Sequence, residues 1–351
     1  MNPDKKTYDV DKHNLPAVIN QLYYHRIDVR IAASGDTVWD AWPGAILRNN
    51  LLSAADQVII AGNISLREQI DKCPLNKDHP MFKDLIQGFP KGYLIALPDV
   101  SLGEKHLKKG ALFCFSLYLV GHMSTYFSEF IQAIRIMCLR GMGHPQVPFY
   151  MVDICEKALD GRQHLLSIGS DNLADALTFP VTFLDFQPEK ASREKTCIEI
   201  VYLTPVILFK QTDKKDISIS YQAKSNGFPS FYQLVRSTAN RMTKLALIYT
   251  CPEKTEVDDC SEKALNSWID YATNPSLIAI DMQKLKLKNT LKKEGKNKMP
   301  LSGYVGKQTY EGYFNRYLPM LKFMEALGVG NETVYGMGRY RVRLGQMDKI
   351  K

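Results

Sequence analysis

The chain has 351 residues, 45% of them hydrophobic, which is enough for two ordinary globular domains and too apolar for a disordered polypeptide. Its 45 Lys and Arg against 37 Asp and Glu leave a charge of +8, which favours nucleic acid or an anionic membrane as partner. Seven cysteines with scattered spacing and no C-x-x-C pair argue against a disulfide framework and a zinc site, so no metal and no cofactor is expected.

The opening MNPDKKTYDVDKHN is polar and charged, unlike a secretory signal. The longest apolar run, Ala111 to Val120, is too short to cross a bilayer; a cytoplasmic protein with no membrane partner is expected. Tyr23 to Ala33 reads as a strand, and the turn residues Ser34, Gly35 and Asp36 lead to Pro43 at the first turn of a helix, PGAILRNNLLSAADQV. Tyr93 to Leu97 and Ala111 to Val120 are strands expected to pair. Tyr126 to Arg140 carries Phe127, Phe130, Ile131, Ile134 and Met137 at helical spacing and stops at Gly141 and Gly143. Pro148 to Ile154 closes the first half as a strand. The order strand, helix, strand, strand, helix, strand is that of a ferredoxin-like domain.

The order repeats. Thr196 to Phe209, Ile278 to Lys288, Tyr304 to Gly312 and Tyr340 to Leu344 read as strands, with helices over Phe228 to Ile248 and Phe314 to Leu327. Each copy ends in helix, glycine loop and strand, LRGMGHPQVPFYMVDI in the first and EALGVGNETVYGMGRYRV in the second, so an internal duplication is expected. The fold class is therefore α+β, two tandem ferredoxin-like (RRM-like) domains, 1–175 and 176–351. In the second copy Gly328, Gly330, Gly336 and Gly338 permit positive φ and are expected to present main-chain N–H groups to a polyanion. Arg339 and Arg341 follow on a strand with one cationic face. Lys284, Lys286 and Lys288 alternate with leucines, Lys292 and Lys293 extend the charge, and Arg236 and Arg241 lie at helical spacing; all are candidate RNA contacts.

These segments carry a resemblance. Leu203-Thr204-Pro205, FPSFYQLVRSTANRMTKL, GYVGKQTYEGYFNRYLPML and the loop from Gly328 to Gly338 come in the order found in the CRISPR-associated repeat-RNA endoribonucleases of Cas-six type, in the RAMP superfamily. PGAILRNNL and KGALFCFSLYLVGH resemble that family's first half more loosely. The resemblance implies RAMP-type ferredoxin-like domains and binding of CRISPR repeat RNA in precursor guide RNA. It further implies one metal-independent cut that releases guide RNAs, and CRISPR effector-complex subunits as further partners.

Such a cut draws its nucleophile from the RNA: the 2′-OH attacks the adjacent phosphorus and leaves a 2′,3′-cyclic phosphate. The protein must supply a base, an acid and fixed positive charge on the phosphate. Many proteins of the family place a histidine in or just after the first helix of the N-terminal domain. No histidine occurs here between Arg26 and Asp78, and the equivalent stretch of PGAILRNNL holds Arg48, Asn49 and Asn50. His25, Tyr24 and Arg48 are the catalytic candidates, with Arg48 suited to charge stabilisation rather than proton transfer. The alternative is a non-catalytic RAMP subunit that binds guide RNA.

Overall fold

The computed structural model describes residues 17–73, 75, 89–98, 104–168, 176–187, 195–208, 228–250, 275–287 and 301–345. Strand β1 (Tyr23–Ala33) sets the pattern of the first half: Ile27, Val29 and Ile31 are fully buried on one face, whereas Arg26, Asp28 and Arg30 point to the other. A three-residue strand β2 (Thr37–Trp39) follows, then helix α1 (Pro43–Ala55), started by its proline, and a short helix α2 (Leu66–Asp71) opened by a Ser65–Glu68 capping box. After them come β3 (Tyr93–Ala96), β4 (Lys105–Leu107), β5 (Leu112–Val120), helix α3 (Phe127–Arg140), β6 (Phe149–Lys157), β7 (Gln163–Ile168) and β8 (Val181–Thr182). Helix α3 buries Phe127, Phe130, Ile131, Ile134 and Met137, the residues whose spacing marked it, and ends at Gly141, whose φ of 84° a side chain would strain.

The first sheet has the order β3-β5-β1-β6-β7, and β8 pairs with β1. Its core of β3, β5, β1 and β6, all antiparallel, is the ferredoxin-like arrangement, with β3 and β5 paired as expected. The sequence reading missed β7 and β8, which widen the sheet to six strands where four were expected, and it missed the separate β2-β4 ribbon.

The second half repeats the plan with β9 (Thr196–Val206), α4 (Phe231–Tyr249), β10 (Ser276–Leu287), β11 (Leu301–Gly312), α5 (Leu318–Leu327) and β12 (Tyr340–Gly345). Its sheet order, β10-β11-β9-β12, is the same topology. Helix α4 begins at a Ser230–Gln233 capping box, and α5 starts at Leu318 because residues 314–317 form a turn in which Phe314 O accepts from Tyr317 N and Leu318 N.

The two halves share one apolar core. Phe323 of α5 packs on Tyr24 of β1 and on Phe183 and Phe186, which follow β8, at centroid distances of 5.2, 5.8 and 5.6 Å. At the other end of the junction Tyr249 of α4 donates its hydroxyl to Pro90 O at 3.1 Å and fills the space left by Gly92 and Gly121. Among the described residues, no helix is long and apolar enough to cross a membrane.

Candidate RNA-processing site

The glycine-rich loop after α5 is the point where the two halves meet around polar groups. Gly328, Gly330, Gly336 and Gly338 all have positive φ, between 69° and 80°. Several amides of this loop are nevertheless taken up inside the protein. Val329 N donates to Gly338 O at 2.9 Å, Asn331 N to Ile207 O at 2.9 Å, Gly336 N to Thr333 O at 2.8 Å and Gly338 N to Pro205 O at 2.9 Å. Gly328, Gly336 and Gly338 are buried. A Cβ on Gly338 would strike the Val329 carbonyl, and one on Gly330 the Ile207 carbonyl. The amides of Gly328, Gly336 and Gly338, expected to face a polyanion, are thus used inside the protein, and the glycines allow the close backbone approach that seats the loop.

The loop is seated against the first half. Trp42 Nε1, just before α1, donates to Tyr335 O at 2.5 Å, and Gly44 in the first turn of α1 leaves room for that carbonyl. The guanidinium of Arg48, one turn further along α1, lies 4.5 Å from the centroid of the Tyr335 ring. Arg48 is half-buried, and its Nε has no hydrogen-bond partner among the described residues. Burial raises the Tyr335 pKa against the lowering effect of Arg48. Burial pushes the neighbouring Tyr93 of β3 up to about 12, and Arg48 is the main charge that opposes it. Arg48 thus stands at the seam, held by a second-half ring, with a permanent charge whose natural partner is a phosphate oxygen.

The other candidates are placed differently. Tyr24 is 4% exposed and packs between Tyr118 and Phe323, and burial raises its pKa strongly, so it is a core residue and not a proton-transfer group. His25 is 6% exposed, and its Nδ1 donates to Glu156 Oε1 at 2.7 Å. His25 was a catalytic candidate; in the structure a buried carboxylate holds it. Glu156, which the sequence reading did not single out, is fully buried. Its position directly across from Ile27, on the apolar face of the sheet, was the available signal once β6 was extended to Lys157. Arg339 does not face an open groove: its Nη1 donates to Leu97 O of the first half and its backbone N to Thr204 Oγ1 at 2.8 Å. Arg241 is half-buried on α4 and reaches the last carbonyl of α5, Leu327 O, at 3.4 Å; burial lowers its pKa to about 10. Both join the loop region to neighbouring elements.

Arg341 is exposed on β12 and Arg236 is half-buried on α4. Lys284 is exposed on β10, with its ammonium 5.8 Å from the Tyr304 ring centroid. Lys286 lies in register with Ser302 of β11, whereas Lys288, Lys292 and Lys293 fall outside the described residues. Arg341 and Lys307 of β11 both pair with Val201 of β9, from opposite sides, so they share the sheet face away from the helices. Lys307 was not noticed in the sequence because it stands alone among polar residues.

Residues 200–340 match the family model described as CRISPR-associated endoribonuclease Cas6, and residues 22–177 match a model described as an N-terminal domain. No curated protein matches the sequence. Among solved structures, the chain resembles a partial Cas6-RT-Cas1–Cas2 complex and a Cas6-RT-Cas1–Cas2 complex, each with a TM-score of 0.56 and 11% identity over 93% of this chain. It spans 47% and 29% of those chains, about half or less of their length. A Thermus thermophilus Cas6 product complex aligns with a TM-score of 0.50 and 12% identity, covering 91% of this chain and 100% of the other. At such identity these likenesses speak for the tandem fold alone, and the likeness to the family rests on the model match within the second half. The likeness to the CRISPR-associated endoribonuclease Cas6 family thus lies in residues 200–340, in the second half of the chain.

Proposed function

We propose that this protein binds CRISPR repeat RNA and cuts precursor transcripts into guide RNAs, using the RNA's own 2′-OH and leaving a 2′,3′-cyclic phosphate. The observation that carries this reading is the stacking of Arg48 on Tyr335. It brings a permanent charge from α1 against the glycine-rich loop at the junction of the two halves. A phosphorane-like transition state gains charge on its non-bridging oxygens, and a preorganised guanidinium stabilises that charge more than it stabilises the ground state. The partly buried position strengthens the effect by excluding water. Arg341, Lys307 and Lys284 are cations on the second sheet that would hold the flanking RNA by its phosphates. The metal-independent character follows from this chemistry, because the nucleophile is already part of the substrate. The division into units 1–175 and 176–351 belongs to the same reading, with residues 176–187 anchored on the first sheet through β8.

One observation favours the non-catalytic alternative, a RAMP subunit that holds guide RNA in an effector complex: the histidine nearest to the expected role, His25, is engaged by Glu156. Incubation of the purified protein with end-labelled repeat RNA in EDTA separates the two readings. A product ending in a 2′,3′-cyclic phosphate supports cleavage; tight binding with the RNA intact supports the alternative.

A further inference from the structure

The Glu156 carboxylate near the end of β6 is fully buried, and both of its oxygens are engaged. Oε1 accepts from His25 Nδ1 at 2.7 Å and from the Phe179 amide at 2.8 Å; Oε2 accepts from the Thr178 amide at 2.7 Å and from Thr178 Oγ1 at 3.1 Å. His164 of β7 stands beside them, its Nδ1 3.7 Å from Oε2 and 3.3 Å from Thr178 Oγ1. Burial by itself would raise the carboxyl pKa, but the Thr178 amide, His25 and the Phe179 amide outweigh it and hold the group below its ordinary value. Two main-chain donors and a side chain from Thr178–Phe179 thus fasten one stretch of chain to the first sheet at a single point.

That stretch runs towards the second half. Immediately after Phe179 the chain pairs with Tyr23 and Tyr24 as β8, and Phe183 N donates to Leu22 O at 3.1 Å. Phe183 and Phe186, in the following 3-10 turn, stand edge-on to Phe323, which also touches Tyr24. Phe323 sits in the middle of α5, and the last residue of α5, Leu327, opens the glycine-rich loop that places Tyr335 under Arg48. The packed series Glu156, Thr178–Phe179, Phe183 and Phe186, Phe323, α5, loop is continuous, and its members come from both halves.

We propose that Glu156 and His25 form a clasp that positions the site at a distance: it fixes the crossing segment 178–186, and through Phe323 this segment holds α5 and the glycine-rich loop in register with Arg48. His25 is then a positioning residue, a hydrogen-bond donor to Glu156, and not the group that moves protons. Its depth below the surface and its engagement by Glu156 both follow from that role. The activity arm of the test below depends on the proposed cleavage reaction, whereas the exchange arm does not.

The experiment compares the wild type with Glu156→Gln, His25→Ala and the double variant. Gln keeps the shape but replaces an acceptor oxygen by an NH2 group that meets the donors of Thr178–Phe179. Hydrogen exchange is expected to rise in 178–186 and also in 328–338, the second region being remote in sequence from both substitutions. Single-turnover cleavage of repeat RNA is expected to fall about tenfold to a hundredfold from misplacement of the reacting groups. RNA affinity should change little, the double variant should be no slower than the slower single one, and the pH–rate profile of His25→Ala should keep its shape. Exchange that rises in 178–186 while 328–338 stays at the wild-type rate overturns the proposal, as does loss of a limb of the pH–rate profile in His25→Ala. Thr178→Val, which removes the Oγ1 bond from a residue exposed at the surface, supplies the comparison if Glu156→Gln does not fold: the same two regions should loosen to a smaller degree. If the wild type leaves repeat RNA uncut, the cleavage reading fails and the exchange arm still decides whether the clasp positions the loop.

Discussion

A single missing side chain at Gly44 illustrates how closely the two halves are fitted. A Cβ there would run into the Tyr335 carbonyl and the Trp42 ring, neither of which has room to move without breaking the Trp42–Tyr335 bond. Gly44→Ala is expected to lower stability by about 1–3 kcal/mol, the usual range for overpacking a filled site, read from the midpoint of a urea titration. Glu156 gives the second residue-scale prediction. Its folded-state pKa lies below the unfolded value, so its contribution to stability is present above the unfolded pKa and is lost as pH falls through the folded one. Stability measured from about pH 7 down into the acid range should therefore fall less steeply in Glu156→Gln than in the wild type; parallel curves would contradict the assignment. The sequence pointed to His25 because histidine is suited to the chemistry. It could not show that a residue 131 positions away would occupy that ring. Arg48 was legible from its place in PGAILRNNL, but its stacking on Tyr335 joins residues from the two ends of the chain and leaves no local signal.

Among the elements, those with strong periodicity were readable and those defined by pairing were not. Helix α3 and strand β1 fall within a residue of the positions that their apolar spacing indicated, because burial of one face dictates that spacing. The β2-β4 ribbon is only three residues per strand and is held by the register Thr37↔Leu107 to Trp39↔Lys105, too short for any alternation to show. The glycine-rich loop was recognised as a unit, yet several of its amides are used internally, since positive φ serves a folded turn as well as an anion site. Gly338→Ala should consequently damage the fold of the loop before it affects RNA affinity. Loss of the protected Gly338 N to Pro205 O bond in hydrogen exchange would register it, and unchanged protection would count against the packing role. The β10-β11 hairpin carries the opposite kind of prediction. Replacement of Lys284, Lys286 and Lys288 together by alanine should weaken RNA binding and reduce the slope of log affinity against log salt by up to about 3, roughly one for each phosphate that is no longer neutralised. An unaltered salt slope would remove the hairpin from the RNA path.

At the scale of the whole molecule, duplication explains the architecture and the junction explains the site. Two copies of one topology, β3-β5-β1-β6 and β10-β11-β9-β12, are joined through Phe323 and Tyr249, and the second copy's glycine-rich loop lies across α1 of the first. Phe323→Ala would open a cavity among Tyr24, Phe183 and Phe186 at a cost of about 3–5 kcal/mol. A single cooperative unfolding transition, shifted by that amount, is expected if the halves fold as a unit; two separated transitions would show that they do not. The seam itself is tested most directly by the single-turnover rate of repeat-RNA cleavage in Arg48→Ala at saturating protein. The account predicts a rate about a hundredfold or more below wild type, the size of effect seen when one preorganised oxyanion donor is removed, with RNA affinity nearly unchanged. Cleavage at the wild-type rate would contradict it.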